Sequence, residues 1–237
     1  MSSFVVGATG FTGREVVRVL AGRGEPVVAH VRSDSSRADE WRQRFTSMSA
    51  EVDDTAWEVE AMTATLRRLA PSLVFALLGT TRKRARGEGM SRVEAYQRVD
   101  VGLTLLLLDA VRAAGLHPRF VYLSSVGTSE RSGSAYLKTR AQVEAALRAS
   151  GVPFTIARPS FISGSLRDDG RPFERAGAVV ADGIMAAIGV LGARRLRAKY
   201  RPTTASALAQ ALVRAAFDPT AEGQVLEGEA LFPPPPR

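Results

Sequence analysis

The chain has 237 residues, 45% of them hydrophobic, which suits one large domain with a buried core and argues against two independent domains. It contains no cysteine, which excludes disulfide bonds, thiolate zinc sites and cysteine nucleophiles. Its two histidines, His30 in a predicted strand and His117 before Pro118, are poor material for a metal centre or a Ser-His-Asp triad, and we predict no metal site.

The formal net charge of +8 would in general favour a nucleic acid or an anionic membrane as partner. However, 29 arginines and 3 lysines are spread along the whole chain, so we predict a solvated basic surface and no nucleic-acid partner. The apolar segment 177–193 contains Asp182 and is shorter than the roughly 20 residues that span a bilayer, so we predict no membrane span. The turn beginning at Gly7 leaves no room for a secretory signal peptide, and we expect a cytoplasmic protein.

The first predicted element is a strand over Val5–Val6 that leads through a glycine turn into a helix. Gly7 allows a sharp turn off the strand, Gly10 removes a Cβ where a pyrophosphate must come close, and Gly13 lets the helix pack on the sheet. A second strand over Val27–Val31 follows at the spacing of a βαβ unit. The free N–H groups and the dipole of the helix N-terminus favour a phosphate, so this turn predicts a dinucleotide site.

The end of the second predicted strand selects the coenzyme. An acidic residue there is typical of NAD, whereas an arginine accommodates the additional phosphate of NADP. Arg32 and Ser33 occupy this position, which favours NADP, and Asp34 keeps NAD possible.

The following elements alternate between helices and strands. The third strand lies at either 50–53 or 57–60, and the loop that would hold adenine, between residues 50 and 62, is not placed by the pattern. Leu73–Leu78 is a continuous apolar run typical of a buried parallel strand, and it ends in Gly79 and Thr80, where ligands gather in open α/β sheets.

The second half of the chain continues this alternation, so we predict an α/β fold with a doubly wound parallel sheet, Rossmann-like, in a single domain over 1–232. A small C-terminal substrate cap is expected mainly from 163–201, and 233–237 is expected to be a flexible proline-rich tail. The predicted helices 93–114 and 135–150 are the candidates for a homodimer interface. The predicted elements are helix 93–114, strand 119–123, helix 135–150, strand 154–157, helix 203–217 and strand 224–227.

Two consecutive elements carry side chains suited to hydride transfer between a coenzyme and a carbonyl. The Tyr136 hydroxyl can protonate a developing alkoxide, and a serine hydroxyl can hold the carbonyl oxygen; Ser124 and Ser125 are both candidates, with Ser125 favoured. Arg140 lies four residues after the tyrosine and therefore on the same helical face, where its charge can favour the tyrosinate form. Lys138 is turned roughly 200° away.

The motifs GATGFTG, LLGTT, YLSSVG, YLKTRAQVE and ARPSFISG, in this order, resemble the atypical short-chain dehydrogenases/reductases with their NAD(P)-binding Rossmann domain. More narrowly, LLGTTRKRARGEG and the helix SRVEAYQRVD are similar to the Tat-interacting oxidoreductase-like group. The resemblance covers about residues 4 to 220. It implies that Gly7, Gly10, Gly13, Arg32, Gly79 and Pro159 line the cofactor and that Ser125 and Tyr136 are catalytic.

The family carries lysine four residues after the tyrosine, where this chain has Arg140. Arginine supplies a permanent charge but does not relay a proton through a neutral form. We therefore expect an NADP-dependent oxidoreductase acting on a small carbonyl or alcohol, with a cofactor-binding sensor or scaffold of little or no activity as the alternative. The expected catalytic residues are Ser125, Tyr136 and Arg140, and the expected cofactor-binding residues are Gly7, Thr9, Gly10, Phe11, Thr12, Gly13, Arg32, Ser33, Leu78, Gly79, Thr80 and Pro159.

Overall fold

A seven-stranded, wholly parallel sheet lies at the centre of the computed structural model, which describes residues 1–80, 87, 89–160, the backbone of 162–163, and 203–233. The strand order is β3-β2-β1-β4-β5-β6-β9, so the chain moves outward from β1 in one direction and then in the other. The predicted doubly wound sheet is therefore confirmed. The seven strands are β1 Ser3–Val6, β2 Val27–His30, β3 Glu51–Asp53, β4 Leu73–Ala76, β5 Arg119–Leu123, β6 Phe154–Arg158 and β9 Val225–Glu227.

The order reverses between β1 and β4, which are neighbours in the sheet. Phe4 of β1 is aligned with Val28 of β2 on one side and with Val74 of β4 on the other. The connections that follow the two strands leave on opposite faces, which opens a crevice at their carboxyl ends. Of the two alternatives for the third strand, the structure selects 51–53; residue 57 lies in a loop and 59–60 begin a helix.

Helices cover both faces of this sheet, as parallel strands require. The helix predicted over 93–114 is interrupted, because a π-helical segment at Tyr96–Gly102 separates two α-helices, Arg92–Ala95 and Leu103–Ala113. A short parallel pair, β7 Ile162–Ser163 with β8 Thr203–Thr204, and a 3₁₀ turn at Pro219–Ala221 complete the described elements. The helices are α1 Gly13–Gly22, α2 Ala38–Thr46, α3 Val59–Leu69, α4 Arg92–Ala95, α5 Leu103–Ala113, α6 Ala135–Ala149, α7 Ala205–Phe217 and α8 Gly228–Leu231.

The hydrophobic core is divided by the sheet into two clusters. Val5 of β1 faces a cluster that includes Leu20 of α1 and Leu208 of α7. Phe4, its neighbour in sequence, faces the other cluster, which includes Leu66 of α3. Alternation along the strand sends successive side chains to opposite faces, so a strand buried on both sides is apolar throughout. This covering holds the strand ends in fixed positions, and the candidate site lies at their carboxyl ends.

Some expectations fall on residues that the structure does not describe. The predicted cap over 163–201 lies outside the described residues apart from the backbone of its first position, and the predicted tail does so apart from Pro233. The segment 177–193 is likewise outside them. Among the helices that the structure describes, none has the length and apolar character needed to cross a bilayer.

Candidate functional site

The glycine turn between β1 and α1 is closed so tightly that two of its positions have no room for a side chain. Gly7 has φ +75°, and a Cβ there would lie 2.5 Å from the Leu77 carbonyl oxygen. A Cβ on Gly13 would lie 2.1 Å from the Gly7 carbonyl oxygen. The Gly10 N–H donates to that same oxygen at 3.0 Å. The turn therefore brings the N-terminus of α1 directly onto the end of β1 and next to β4.

The N-terminus of α1 offers backbone N–H groups to a ligand, although the Arg14 N–H already donates to the Gly10 carbonyl at 3.1 Å. Its N-cap residue, Thr12, is buried, but its side chain makes no capping hydrogen bond. The first N–H groups of any α-helix lack intrahelical acceptors, and the helix dipole adds positive potential there. Phe11, beside the turn, has the Arg14 guanidinium 5.3 Å from its ring centre. The helix N-terminus and the glycine positions without room for a side chain fit the pyrophosphate of a dinucleotide.

A pocket of about 670 Å³ lies at the carboxyl ends of β2 and β3, which are neighbours in the sheet. Its volume is in the usual range of small-ligand sites. Arg32 and Asp34 at its edge form an ion pair of 3.4 Å. The lining residues are Arg32, Ser33, Asp34, Thr55, Ala56, Trp57, Arg98, Val99 and Leu103. Thr55–Trp57 thus supply a wall of the pocket from within the region 50–62 that the sequence pattern left unplaced.

His30 holds that wall in position. Its Nε2 lies 2.9 Å from the Thr55 carbonyl oxygen, and its ring packs edge-on against Trp57 with 5.0 Å between ring centres. Burial lowers the pKa of His30, against opposing contributions from Thr55 and Asp53, so the ring is neutral near pH 7 and Nε2 donates. Asp53 accepts hydrogen bonds from the Thr55 N–H and hydroxyl at 3.1 and 3.0 Å. His30 therefore has a structural role, which is to support this pocket.

The carboxyl end of β4 passes close to the glycine turn and ends in Gly79 and Thr80. The Leu77 N–H continues the ladder by donating to the Val6 carbonyl at 3.1 Å. The Thr80 N–H donates to the Asp100 carboxylate at 3.0 Å. The Thr80 hydroxyl is buried without a hydrogen-bond partner in the described part of the chain, which is typical of a site that a polar ligand completes.

Arg140 lies buried at the same end of the sheet and connects three elements. Its Nη2 donates to Asp100 at 2.7 Å and to the Leu78 carbonyl at 3.2 Å. Its Nη1 donates to the Leu123 carbonyl at 3.0 Å and to the Tyr122 hydroxyl at 3.1 Å. The ion pair is almost fully enclosed, with side chains 5% and 1% exposed. Arg140 therefore ties the ends of β4 and β5 to the π-helical segment.

The charge of Arg140 is secure despite this burial. Burial by itself disfavours the guanidinium cation, but Tyr136, Tyr122 and Asp100 outweigh it and raise the pKa of Arg140 above its usual range. For Tyr122, burial has the opposite effect: it raises the pKa of the hydroxyl to about 12, although Arg140 opposes this shift. The Tyr122 hydroxyl thus stays neutral near pH 7 and accepts the hydrogen bond from Arg140.

Tyr136 is placed on this cation as the four-residue spacing predicts. The Arg140 guanidinium carbon lies 5.0 Å from the centre of the Tyr136 ring. The Tyr96 ring packs on Tyr136 with 5.4 Å between centres. The Tyr136 ring is half-buried, and its hydroxyl makes no hydrogen bond to any residue that the structure describes. This hydroxyl is available to a ligand.

Ser124 and Ser125, at the end of β5, differ in what their hydroxyl groups do. The Ser124 hydroxyl is buried and donates to the Glu144 carboxylate at 2.6 Å. Among the residues that the structure describes, the half-buried Ser125 hydroxyl reaches only the Val126 carbonyl, at 3.4 Å, which is at the limit of a hydrogen bond. The geometry therefore commits Ser124 to the protein's interior and leaves Ser125 able to bind a substrate oxygen.

Glu144 is the centre of a second buried network beneath these serines. Arg158 at the end of β6 donates to both of its oxygens, at 2.8 and 2.6 Å, and Arg148 donates at 2.9 Å. Burial would raise the pKa of Glu144, but the hydrogen bonds from Arg158 and Ser124 prevail, and its pKa is lowered. Beside this network the Val126 N–H donates to the Pro159 carbonyl at 3.0 Å, which fixes the loops after β5 and β6.

The structure divides the predicted site residues into two groups. Contacts lead from the glycine turn through the end of β4 to Arg140 and Tyr136, whereas Arg32 and Ser33 lie in the separate pocket beyond β2. Sequence reasoning missed the pocket wall at Thr55–Trp57, the cation at Arg98 and the two buried carboxylates. For the two carboxylates the sequence did contain a signal, because Asp100 and Glu144 are acidic residues within apolar helical faces.

Comparison with known proteins supplies the family. A family model described as NAD(P)H-binding matches residues 7–184. A relative from Aspergillus terreus, named protein fmp52-1, mitochondrial, is 30% identical over 184 residues, which are 75% of this chain and 73% of that protein. The narrower resemblance to the Tat-interacting oxidoreductase-like group stays a prediction.

Two solved structures share the fold. One, from Bacillus halodurans and described as an NAD-dependent epimerase/dehydratase, has a TM-score of 0.68 at 18% identity and covers 95% of this chain and 92% of its own. The other, the complex of leucoanthocyanidin reductase with NADPH from Vitis vinifera, has a TM-score of 0.65 at 15% identity and covers 95% of this chain and 68% of its own.

The expectation of a cytoplasmic protein is wrong by this comparison. The relatives from Aspergillus terreus, Aspergillus clavatus and Debaryomyces hansenii all carry the word mitochondrial in their names. The expectation rested on an argument about secretory signal peptides, and such an argument does not bear on the choice among compartments inside a cell.

The glycine cradle, the seven-stranded sheet and the match over residues 7–184 agree with one another. The chain belongs to the NAD(P)H-binding family, and it shares its Rossmann-like fold with the epimerase/dehydratase and the reductase described above.

Proposed function

We propose that the protein is an NADP-dependent oxidoreductase that interconverts a small carbonyl compound and the corresponding alcohol. The observation that carries this proposal is the Tyr136 hydroxyl, which has no hydrogen bond to a described residue and lies on a ring 5.0 Å from the buried Arg140 cation. An available acid beside a permanent charge is suited to proton transfer at a substrate oxygen.

The coenzyme would be held along the crevice at the strand ends. The turn Gly7–Gly13, with Thr9, Phe11 and Thr12, would bind the pyrophosphate, and Arg32 with Ser33 would bind the ribose 2′-phosphate that distinguishes NADP from NAD. Leu78, Gly79, Thr80 and Pro159 would line the nicotinamide end. When bound, the nicotinamide supplies or accepts the hydride.

Within this arrangement the protein's own groups handle the proton. The Tyr136 hydroxyl donates it to the substrate oxygen during reduction and takes it back during oxidation, while the Ser125 hydroxyl holds the same oxygen by a hydrogen bond. Arg140 acts on Tyr136 through the face of the ring and stabilises the tyrosinate by its charge. Both Nη atoms of Arg140 already bind protein groups, so it acts as a fixed charge and not as a proton relay.

The same engagement of Arg140 favours one alternative. A cation whose Nη donors all serve Asp100, Tyr122 and two backbone carbonyls can be purely structural. The protein would then bind NADP as a sensor or scaffold without turnover. The substrate cap over 163–201 and the homodimer through helices 93–114 and 135–150 remain predictions in either case.

Measurements on the wild type and on Tyr136→Phe distinguish the oxidoreductase from the sensor or scaffold. NADPH oxidation is followed by nicotinamide absorbance with a panel of small carbonyl compounds, and binding is followed by the rise in Tm that each coenzyme causes. We expect Tyr136→Phe to lower turnover at least about 100-fold while NADPH still raises Tm as in the wild type. NADPH should raise Tm more than NADH does.

Tyr96→Phe is the matched control, because it removes a hydroxyl from the ring packed on Tyr136. Its turnover should stay near that of the wild type. Turnover that survives in Tyr136→Phe would contradict the proposed role of the tyrosine. NADPH binding without oxidation across the whole panel would favour the sensor.

A further inference from the structure

Arg98 lines the same pocket as Arg32, and no motif of the chain had assigned it a role. We propose that Arg98 is a second cation for the 2′-phosphate of NADP, so that two arginines from different elements determine coenzyme specificity. This inference rests on the proposed NADP-dependent function and extends it to a further specificity-determining residue.

The charges around the pocket call for a second cation. Arg32 is paired with Asp34 at 3.4 Å, so this pair alone presents little net charge to a ligand. A phosphate monoester carries about −1.5 to −2 charges near pH 7. Among the described residues that line the pocket, only Arg32, Asp34 and Arg98 are charged, and Arg98 makes the sum of their charges positive. Two guanidinium groups can also donate to several phosphate oxygens at once.

The π-helical segment accounts for the position of Arg98. In an α-helix, residues five apart point about 140° away from each other. A π-helix closes its turn between residues five apart, which brings Arg98 and Leu103 to the same side. Both residues line the pocket, in agreement with this geometry. With α-helical spacing, Arg98 and Leu103 would point in different directions, and the sequence alone would not place them in one pocket.

The backbone that carries Arg98 is firmly anchored. Val99 and Asp100, which follow it directly, are only 3% and 1% exposed. Asp100 is held by Arg140 and by the Thr80 N–H. The Arg98 side chain itself is exposed, so it can meet a ligand without breaking a buried interaction. A rigid backbone positions the Arg98 guanidinium group, and its exposure lets it contact a ligand.

The rest of the lining suits the neighbouring adenine. Trp57 and Leu103, both half-buried, offer apolar surface, and Trp57 is held by its packing on His30. An aromatic ring and aliphatic groups bind the flat base, while the arginines bind the phosphate attached to its ribose. The pocket therefore offers apolar surface for the adenine and positive charge for the phosphate of an adenosine 2′-phosphate.

The test uses two redox-inactive probes that differ only in this phosphate, adenosine 2′,5′-bisphosphate and adenosine 5′-monophosphate. Their Kd values are measured by calorimetry on the full chain, for the wild type, Arg98→Gln and the control Arg112→Gln. Arg112 is an exposed arginine of α5 that pairs with Asp109 and does not line the pocket. We expect the wild type to prefer the bisphosphate and Arg98→Gln to lose about tenfold of that preference.

In the same variant the Kd for the monophosphate should change by less than about twofold, and Arg112→Gln should behave as the wild type. An unchanged preference in Arg98→Gln would overturn the role of Arg98 and leave the NADP assignment resting on Arg32. Equal affinity of the wild type for both probes would instead overturn the NADP preference itself, and the role of Arg98 with it.

Discussion

The pocket lined by Arg32 and Asp34 and the buried cluster around Arg140 are built in opposite ways. In the pocket, the Arg32–Asp34 pair is accessible, with side chains 35% and 71% exposed. In the cluster around Arg140, the Arg140–Asp100 pair is 5% and 1% exposed, and Arg140 also donates hydrogen bonds to backbone carbonyls. Accessible charges can adapt to a ligand at little expense in stability, whereas enclosed charges are part of the fold. The same type of substitution should therefore change affinity in one region and stability in the other.

The largest effect is expected from Asp100→Asn. The change leaves the Arg140 cation buried without a counter-charge and weakens the acceptor of the Thr80 N–H, so the free energy of unfolding should fall by about 3 kcal/mol or more. Urea unfolding measures this loss. The control Asp109→Asn removes an exposed partner of Arg112 and should change stability by less than about 1 kcal/mol. Equal, small losses in both variants would contradict the structural role of the buried pair.

Glu144→Gln should have the next largest effect, because it removes the charge that Arg158 and Arg148 share. We expect a loss of about 2 to 3 kcal/mol at neutral pH. The pKa of Glu144 is lowered in the folded protein, so its contribution is present above the ordinary value of 4.5 and is lost as the pH falls through the folded value.

The pH dependence of unfolding tests this sign. Between neutral pH and about pH 3, the stability of the wild type should fall more steeply than that of Glu144→Gln, with the exposed Glu130→Gln as the control that follows the wild type. Parallel curves for the wild type and Glu144→Gln would show that this carboxylate does not contribute to the acid sensitivity.

The smallest effect on stability is expected in the pocket, from Asp34→Asn. The side chain is mostly exposed, so the unfolding free energy should change by less than about 1 kcal/mol. Its removal frees Arg32 from a competing carboxylate and lowers the negative charge near the 2′-phosphate. The affinity for NADPH should therefore rise several-fold while that for NADH stays nearly constant. Weaker NADPH binding would show that Asp34 takes part in binding the ribose.

The contrast between the two regions also explains what the sequence could predict. The strand over 119–123 and the helix over 135–149 were found almost to the residue, because local apolar patterns and flanking glycines specify them. The glycine turn was identified for the same local reason. Ser124 and Ser125 look alike in sequence, and only the distant Glu144 distinguishes them.

The residues that sequence reasoning missed depend on long-range geometry. Arg98 reaches the pocket through a π-helical turn, which shifts it away from its α-helical direction. Asp100 is 40 positions from Arg140, and neither residue by itself signals a buried pair. The third strand, with only three residues, was too short to distinguish from its alternative until its pairing with β2 was seen.

The structure of the protein bound to NADPH tests the central claim most directly, because it locates both ends of the coenzyme at once. We predict the pyrophosphate at the turn Gly7–Gly13, the 2′-phosphate between Arg32 and Arg98, and the nicotinamide on the side of the site that carries Tyr136 and Ser125. A 2′-phosphate that contacts neither arginine, or a nicotinamide remote from Tyr136, would contradict the account.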